Sequence, residues 1–266
     1  MSFERENNGV GSSRATLPPA FGVARLASLL LVLLLASVTM PSFAEDAIVL
    51  NTGVREPYTA PDGSGFVDRL VAEIFRRVGR RARVQVYEAS ERAMINANNG
   101  IDDGTALRIK GLEALYPNLL RVDEKVMDND FVAYSMKLNF PTRDWNSLTT
   151  HQVAYILGWK IFERNVPTAV SVTKVKDPQQ LFSLLQHDRT DVILYERWQG
   201  LWRARQLGLA VNTLEPPLAR QEMFLYLNKA HAELVPKVER ALAEMKRDGT
   251  YQRIWDAALT PLISRR

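Results

Sequence analysis

Gly100-Ile101-Asp102-Asp103-Gly104-Thr105-Ala106-Leu107-Arg108 is where one amphipathic run stops at a glycine and a short apolar segment begins, closed by a lone arginine. Upstream, Ser90 reads as the cap of a helix over residues 91–98 that Gly100 ends. Before it, Val84-Gln85-Val86-Tyr87 alternates as a strand. Phe66, Leu70, Ile74 and Val78 recur every fourth residue, with Arg69, Glu73, Arg76 and Arg77 elsewhere on the wheel. That period predicts an amphipathic helix with Gly79 as its stop. Ile48-Val49-Leu50 reads as a short buried strand, followed by a turn-rich segment from Glu56 to Gly65. Strand, helix, strand and helix in succession predict a parallel sheet with helices on its faces.

Downstream of Arg108 the pattern is less regular as far as Val126. Residues 131–136 then form a β-rich run that leaves the first unit. A second α/β pattern follows, with a strand at 153–157, a tight turn at Gly158-Trp159-Lys160 and a short helix that ends before Pro167. Another strand covers 170–175. Asp177-Pro178 is an N-cap followed by proline at the first helical position, leading a helix with Leu181, Phe182, Leu184 and Leu185. Residues 192–195 make a further strand, and Trp198, Leu201 and Trp202 predict a helix behind it. A late strand at 223–227 and helices over 234–245 and 251–259 complete the chain. Two α/β units joined by two β-rich crossings imply a discontinuous first lobe, residues 45–132 plus 225–266, and a second lobe, residues 133–224. The crossings near Phe131 to Ser135 and Glu222 to Tyr226 are the expected hinge, and the cleft between the lobes is the expected ligand site.

The chain of 266 residues is 46% hydrophobic and 24% charged, a globular composition. Leu26 to Val38 is an apolar run preceded by Arg14 and Arg25 and followed by Ser42-Phe43-Ala44. It is too short to span a bilayer, which takes about 20 residues, and it has the form of a secretory leader. Residues 1–44 are therefore read as a signal peptide, cleaved after Ala44, with a periplasmic mature protein. The leader holds three Arg and two Glu, leaving 31 basic and 28 acidic residues. That balance and the dispersed basic residues argue against a nucleic-acid surface; Arg76-Arg77 and Arg80-Arg81 read as a solvated helix face. The sequence has no Cys, so no disulfide supports the exported chain.

With these segments in place the mature chain resembles the type II periplasmic solute-binding proteins, specifically the family that binds amino acids for ABC transporters (bacterial extracellular solute-binding protein family 3). The resemblance is carried by Pro57-Tyr58 and the helix start at Gly65-Phe66-Val67-Asp68-Arg69-Leu70, by Asn99-Gly100-Ile101-Asp102, by the run from Asp188 to Leu194, and by the ending from Ala241 to Tyr251. It implies a fold of two α/β lobes, each a mainly parallel sheet flanked by helices, that close over a small polar ligand. It also implies roles for residues. Arg108 would hold the ligand's α-carboxylate, for which a guanidinium fork suits. Glu196 would meet the α-ammonium, and Tyr58 would cover the ligand. This sequence departs from the family pattern in two places. Residues 101–108 are shorter than usual and leave Thr105 as the one hydroxyl of the ligand strand, and Trp159-Lys160 replace the small residues after Gly158. Trp159 and Lys160 are nonetheless counted with the candidate ligand residues.

Structural alternatives stand beside these roles. Arg108 could pair with Asp102, Asp103 or Glu113; Glu196 could cap a helix or pair with Arg197 or Arg203; Trp159 and Tyr195 could be core aromatics, and Trp198 reads as one. His151, His187 and His231 lie far apart, so no metal site is expected. Asp102 and Asp103 are adjacent, point to opposite faces of a strand and cannot act as a catalytic dyad. The expectation is a non-enzymatic, monomeric solute-binding protein without cofactor, with an ABC permease as its candidate membrane partner. Its rivals are a periplasmic sensor domain for a membrane receptor and an enzyme like the cyclohexadienyl dehydratases, which resemble it in fold.

Overall fold

The computed structural model describes residues 47–263 other than residue 169, together with residue 11. The leader at residues 1–44 and its cleavage point after Ala44 lie outside the described residues, residue 11 apart. Among the described residues no helix is long and apolar enough to cross a membrane.

The first sheet is built from β1 (Ile48–Thr52), β2 (Ala82–Val86) and β3 (Gly104–Arg108). β1 pairs in parallel with β2 and with β3, as the alternation of strands and helices predicts. Helix α1 (Phe66–Val78) follows β1, and its stop is the expected one, Gly79 at φ 82°, a left-handed conformation that glycine adopts without a Cβ penalty. Phe66, Val67, Leu70, Val71, Ile74 and Phe75 are all buried. Each contributes roughly 1.5–3 kcal/mol of apolar transfer on folding. Phe66 meets Tyr251 and Trp255 edge to face, with centroids at 5.7 and 5.3 Å, which ties α1 to the C-terminal helices α6 (Val235–Arg247) and α7 (Thr250–Ala258).

The second sheet contains β6 (Gln152–Ile156), β7 (Ser171–Val175) and β8 (Val192–Glu196), parallel in the order β8-β6-β7. Ala154, Ile156, Ile193 and Tyr195 enter one buried cluster, while Val153, Tyr155, Val192 and Leu194 enter another on the opposite face. This is the period-two alternation of a sheet covered on both sides. Helices α3 (Lys160–Asn165), α4 (Pro178–Gln186) and α5 (Arg197–Gln206) connect its strands, and Asp177 caps α4 by accepting from the Gln180 N–H at 2.8 Å.

Two antiparallel strands join the sheets. β5 (Met127–Ser135) and β9 (Asn212–Asn228) pair from Met127↔Met223 to Ser135↔Asn212. The end of β9 then pairs with β3 on one side and with β4 (Leu119–Arg121) on the other. β9 runs 17 residues, whereas the sequence predicts only 223–227; Pro216 and Pro217, which cannot donate to a ladder, lie where its pairing with β5 shifts register. β4, in the stretch read as irregular, is also a strand.

Candidate functional site

In each parallel sheet the carboxyl ends of the strands are where an open α/β sheet presents side chains to a ligand. At that end of the first sheet stand Gly53 after β1, Ser90 at the start of α2 (Ser90–Asn98), and Thr105 and Arg108 on β3. Gly53 packs so close to Ser90 that an added Cβ would lie 3.3 Å from the Ser90 Cβ. Ser90 is the first helical residue and makes no capping bond, contrary to the cap expected of it. Its hydroxyl instead accepts from Arg108 Nη1 at 2.8 Å. Arg108 Nε donates to Thr105 Oγ1 at 2.9 Å, and Thr105 Oγ1 donates to the Asn51 carbonyl at 3.0 Å.

The β3–β9 register shifts between Thr105 and Arg108, and Leu107 has φ 52°. A left-handed leucine is a strained backbone, held in place only by its surroundings. The bulge re-aims Arg108. Its Nη2 is buried without any hydrogen-bond partner, and burial draws the guanidinium down to about 10. None of Asp102, Asp103 and Glu113 pairs with it. Asp102 accepts from Asn51 Nδ2 at 2.8 Å, Asp103 accepts from the Val49 N–H at 2.7 Å and meets His231 Nε2 at 2.6 Å, and Glu113 lies 3.5 Å from Arg121. A half-buried cation with an enclosed, unpaired donor and no counter-ion is costly unless an anion completes it.

Glu196 lies elsewhere. β3 meets β9 at Phe224, while Glu196 sits beyond the other edge of β9, paired to Phe131, which faces Ala219. Its Oε1 accepts from the Tyr58 hydroxyl at 2.8 Å and the Trp198 N–H at 3.1 Å, and its Oε2 accepts from the Gln199 N–H at 2.8 Å. Glu196 thus N-caps α5 and binds the loop after β1. It is 1% exposed, and burial raises its carboxyl to about 7. Tyr58 is equally buried, at 2%, and burial beside Glu196 raises its phenol.

The structure therefore joins Thr105 to Arg108 and Tyr58 to Glu196, with no hydrogen bond from one pair to the other. Trp159 is half-buried and stacks on Tyr195 at 4.8 Å and on Phe162 at 5.6 Å. Lys160 is exposed, with Nζ 2.7 Å from Glu163, and Glu163 also accepts from the Gly158 N–H. Ser90, absent from the sequence-predicted set, belongs with Arg108. Its helix-start position was legible, but the arginine reaching it from 18 residues away was not. Among the described residues no group of acids and histidines could hold a metal ion.

A groove of about 1270 Å³ lies along β5, α5 and α7, lined among others by Lys125, Asp130, Arg197, Trp198 and Trp255. It contains none of the six predicted residues. Its charges satisfy one another: Asp130 meets Arg220 at 2.6 Å and Arg197 at 3.2 Å, and Arg197 meets Glu215 at 2.5 Å.

No family model matches the chain. Over 144 residues it is 26% identical to an uncharacterised protein of Shewanella oneidensis. The match spans 51% of this chain and about half of that relative, 54% of its length. The second substrate binding domain of a putative amino acid ABC transporter from Streptococcus pneumoniae is similar in structure, with a TM-score of 0.65, 16% identity, and coverage of 80% of this chain and 100% of that one. The GluR0 ligand-binding core from Nostoc punctiforme, in complex with L-glutamate, gives 0.62 at 17% identity over 79% and 98% of the two chains. An ancestral arginine-binding protein bound to glutamine gives 0.60 at 19% over 80% and 96%. At such identities the likeness is one of fold: the chain has the two-lobed, type II periplasmic-binding-protein fold.

Proposed function

We propose that this chain is an exported solute-binding protein that takes a small carboxylate-bearing ligand, an amino acid or a related acid, between two lobes and presents it to an ABC permease. The observation that carries the reading is Arg108, a half-buried guanidinium whose enclosed Nη2 has no hydrogen-bond partner and which has no acid beside it. A ligand carboxylate would supply the missing charge bidentately. This reading takes residues 45–132 with 225–266 as one lobe and 133–224 as the other, with the β5–β9 crossing as the hinge. Structural neighbours described as amino-acid-binding proteins support a ligand of this size and charge. Binding without turnover fits a site built on an unpaired guanidinium, and a monomer suffices for it.

A thermal-shift screen of amino acids and carboxylates tests the reading. A ligand at 100 times its Kd adds about 2.7 kcal/mol of stability, and Arg108→Ala should abolish the shift of the best hit. A hit bound equally by Arg108→Ala would remove Arg108 from the site. The shortened segment before Arg108 favours a sensor domain as second reading. Co-purification of a permease with the ligand-loaded protein, against a membrane receptor, separates the two.

A further inference from the structure

Resting on the carboxylate site just described, we propose that the ligand is recognised as an organic anion without any requirement for an α-ammonium group. The acid that would meet an ammonium, Glu196, is committed elsewhere. Its two oxygens take three hydrogen bonds from Tyr58, Trp198 and Gln199, all between 2.8 and 3.1 Å, and 1% of the residue reaches solvent. Releasing it would uncap α5 and leave the buried Tyr58 hydroxyl without its acceptor, which costs more than an exposed ion pair returns.

Three further acids near the two strand ends also have partners. Glu91 accepts from the Tyr116 hydroxyl at 3.1 Å, Glu88 holds Arg55 at 2.9 Å, and Glu163 holds Lys160 and the Gly158 N–H. The buried side-chain atoms without a hydrogen-bond partner include the neutral amide oxygen of Asn51 and donors of two arginines. Besides Arg108 Nη2, Arg203 has its Nε buried without a hydrogen-bond partner, and its charge is felt by Tyr195, the ring on which Trp159 stacks. A zwitterion would bring an ammonium toward Arg108, which has no acid paired to it, and desolvating that ammonium would oppose binding. A carboxylate with an apolar or second anionic end meets no such penalty.

The experiment measures Kd by calorimetry for each proteinogenic amino acid beside its deamino counterpart, such as L-glutamate with glutarate and L-phenylalanine with 3-phenylpropionate. Arg108→Met serves as the second variant. The expected result is a best-binding deamino acid whose Kd is equal to or below that of its amino partner, with binding lost in Arg108→Met. An amino acid bound at least tenfold more tightly than its deamino partner, and lost in Arg108→Met, overturns this inference and leaves the carboxylate site standing. If no compound of either kind binds, or if Arg108→Met binds like the parent, the carboxylate site falls and this inference falls with it.

Discussion

Glu196→Gln should remove one specific component of the pH dependence of stability. In the unfolded chain this carboxyl ionises near 4.5; in the folded chain burial holds its proton until about 7. Between those values the folded state carries the extra proton, so the contribution is complete below pH 4.5 and is lost as pH rises through 7. At 1.36 kcal/mol per pH unit, the gap amounts to about 3 kcal/mol. The residue is 1% exposed, so solvent screening takes little from that figure. Glutamine keeps the size but not the ionisation, and the poorer cap lowers stability by a pH-independent amount of about 1 kcal/mol. Urea unfolding followed by tryptophan fluorescence from pH 4.5 to 8 gives both curves. The parent should lose its advantage over the variant as pH rises, with the difference changing by about 3 kcal/mol. Glu73 is lowered to about 2, chiefly by its hydrogen bond to Arg76, but it acts below this window and equally in both proteins. A difference that stays constant within about 0.5 kcal/mol would refute the placement of Glu196 as a buried, proton-holding cap.

Arg108→Met should leave the ligand-free protein as stable as the parent or more so by about 1 kcal/mol, because it removes a half-buried cation without a counter-ion; a loss of that size would make Arg108 a structural residue. Gly104→Ala should destabilise by about 3 kcal/mol or more, read from the same urea curves. Its Cβ would lie 2.1 Å from the Tyr226 carbonyl oxygen and 2.8 Å from Leu50 Cδ2, and the first of these atoms is backbone.

Local periodicity made much of the architecture legible. The fourfold spacing of Phe66, Leu70 and Ile74, the Asp177-Pro178 start and the apolar runs at 153–157 and 192–195 each describe a segment that solves its own packing problem. What stayed illegible was set by distant partners. β9 continues past Pro216 and Pro217 because β5 pairs with it on both sides of them, at Ala219 and Leu214, which no local signal announces. Ser90 looks like a cap until Arg108 claims its hydroxyl. Arg108 was readable as the exceptional charge, but its lack of a counter-ion depends on where Asp102, Asp103 and Glu113 find other partners. Glu196 sits at the expected strand end. Its commitment, however, depends on Tyr58, 138 residues earlier in the chain.

The long β9 has a mechanical consequence. Little of a rotation of one sheet against the other can be absorbed by a slack linker there, because β5 is paired to it from Met127 to Phe131 and again from Ala133 to Ser135, the ladder shifting register only at residues 215–218. The motion must be taken up as a change of twist in a two-stranded ribbon, the sheet element that twists most freely. Such a ribbon behaves as a torsion spring. It sets a rest angle between the sheets, and any ligand that turns them away from it works against a restoring torque.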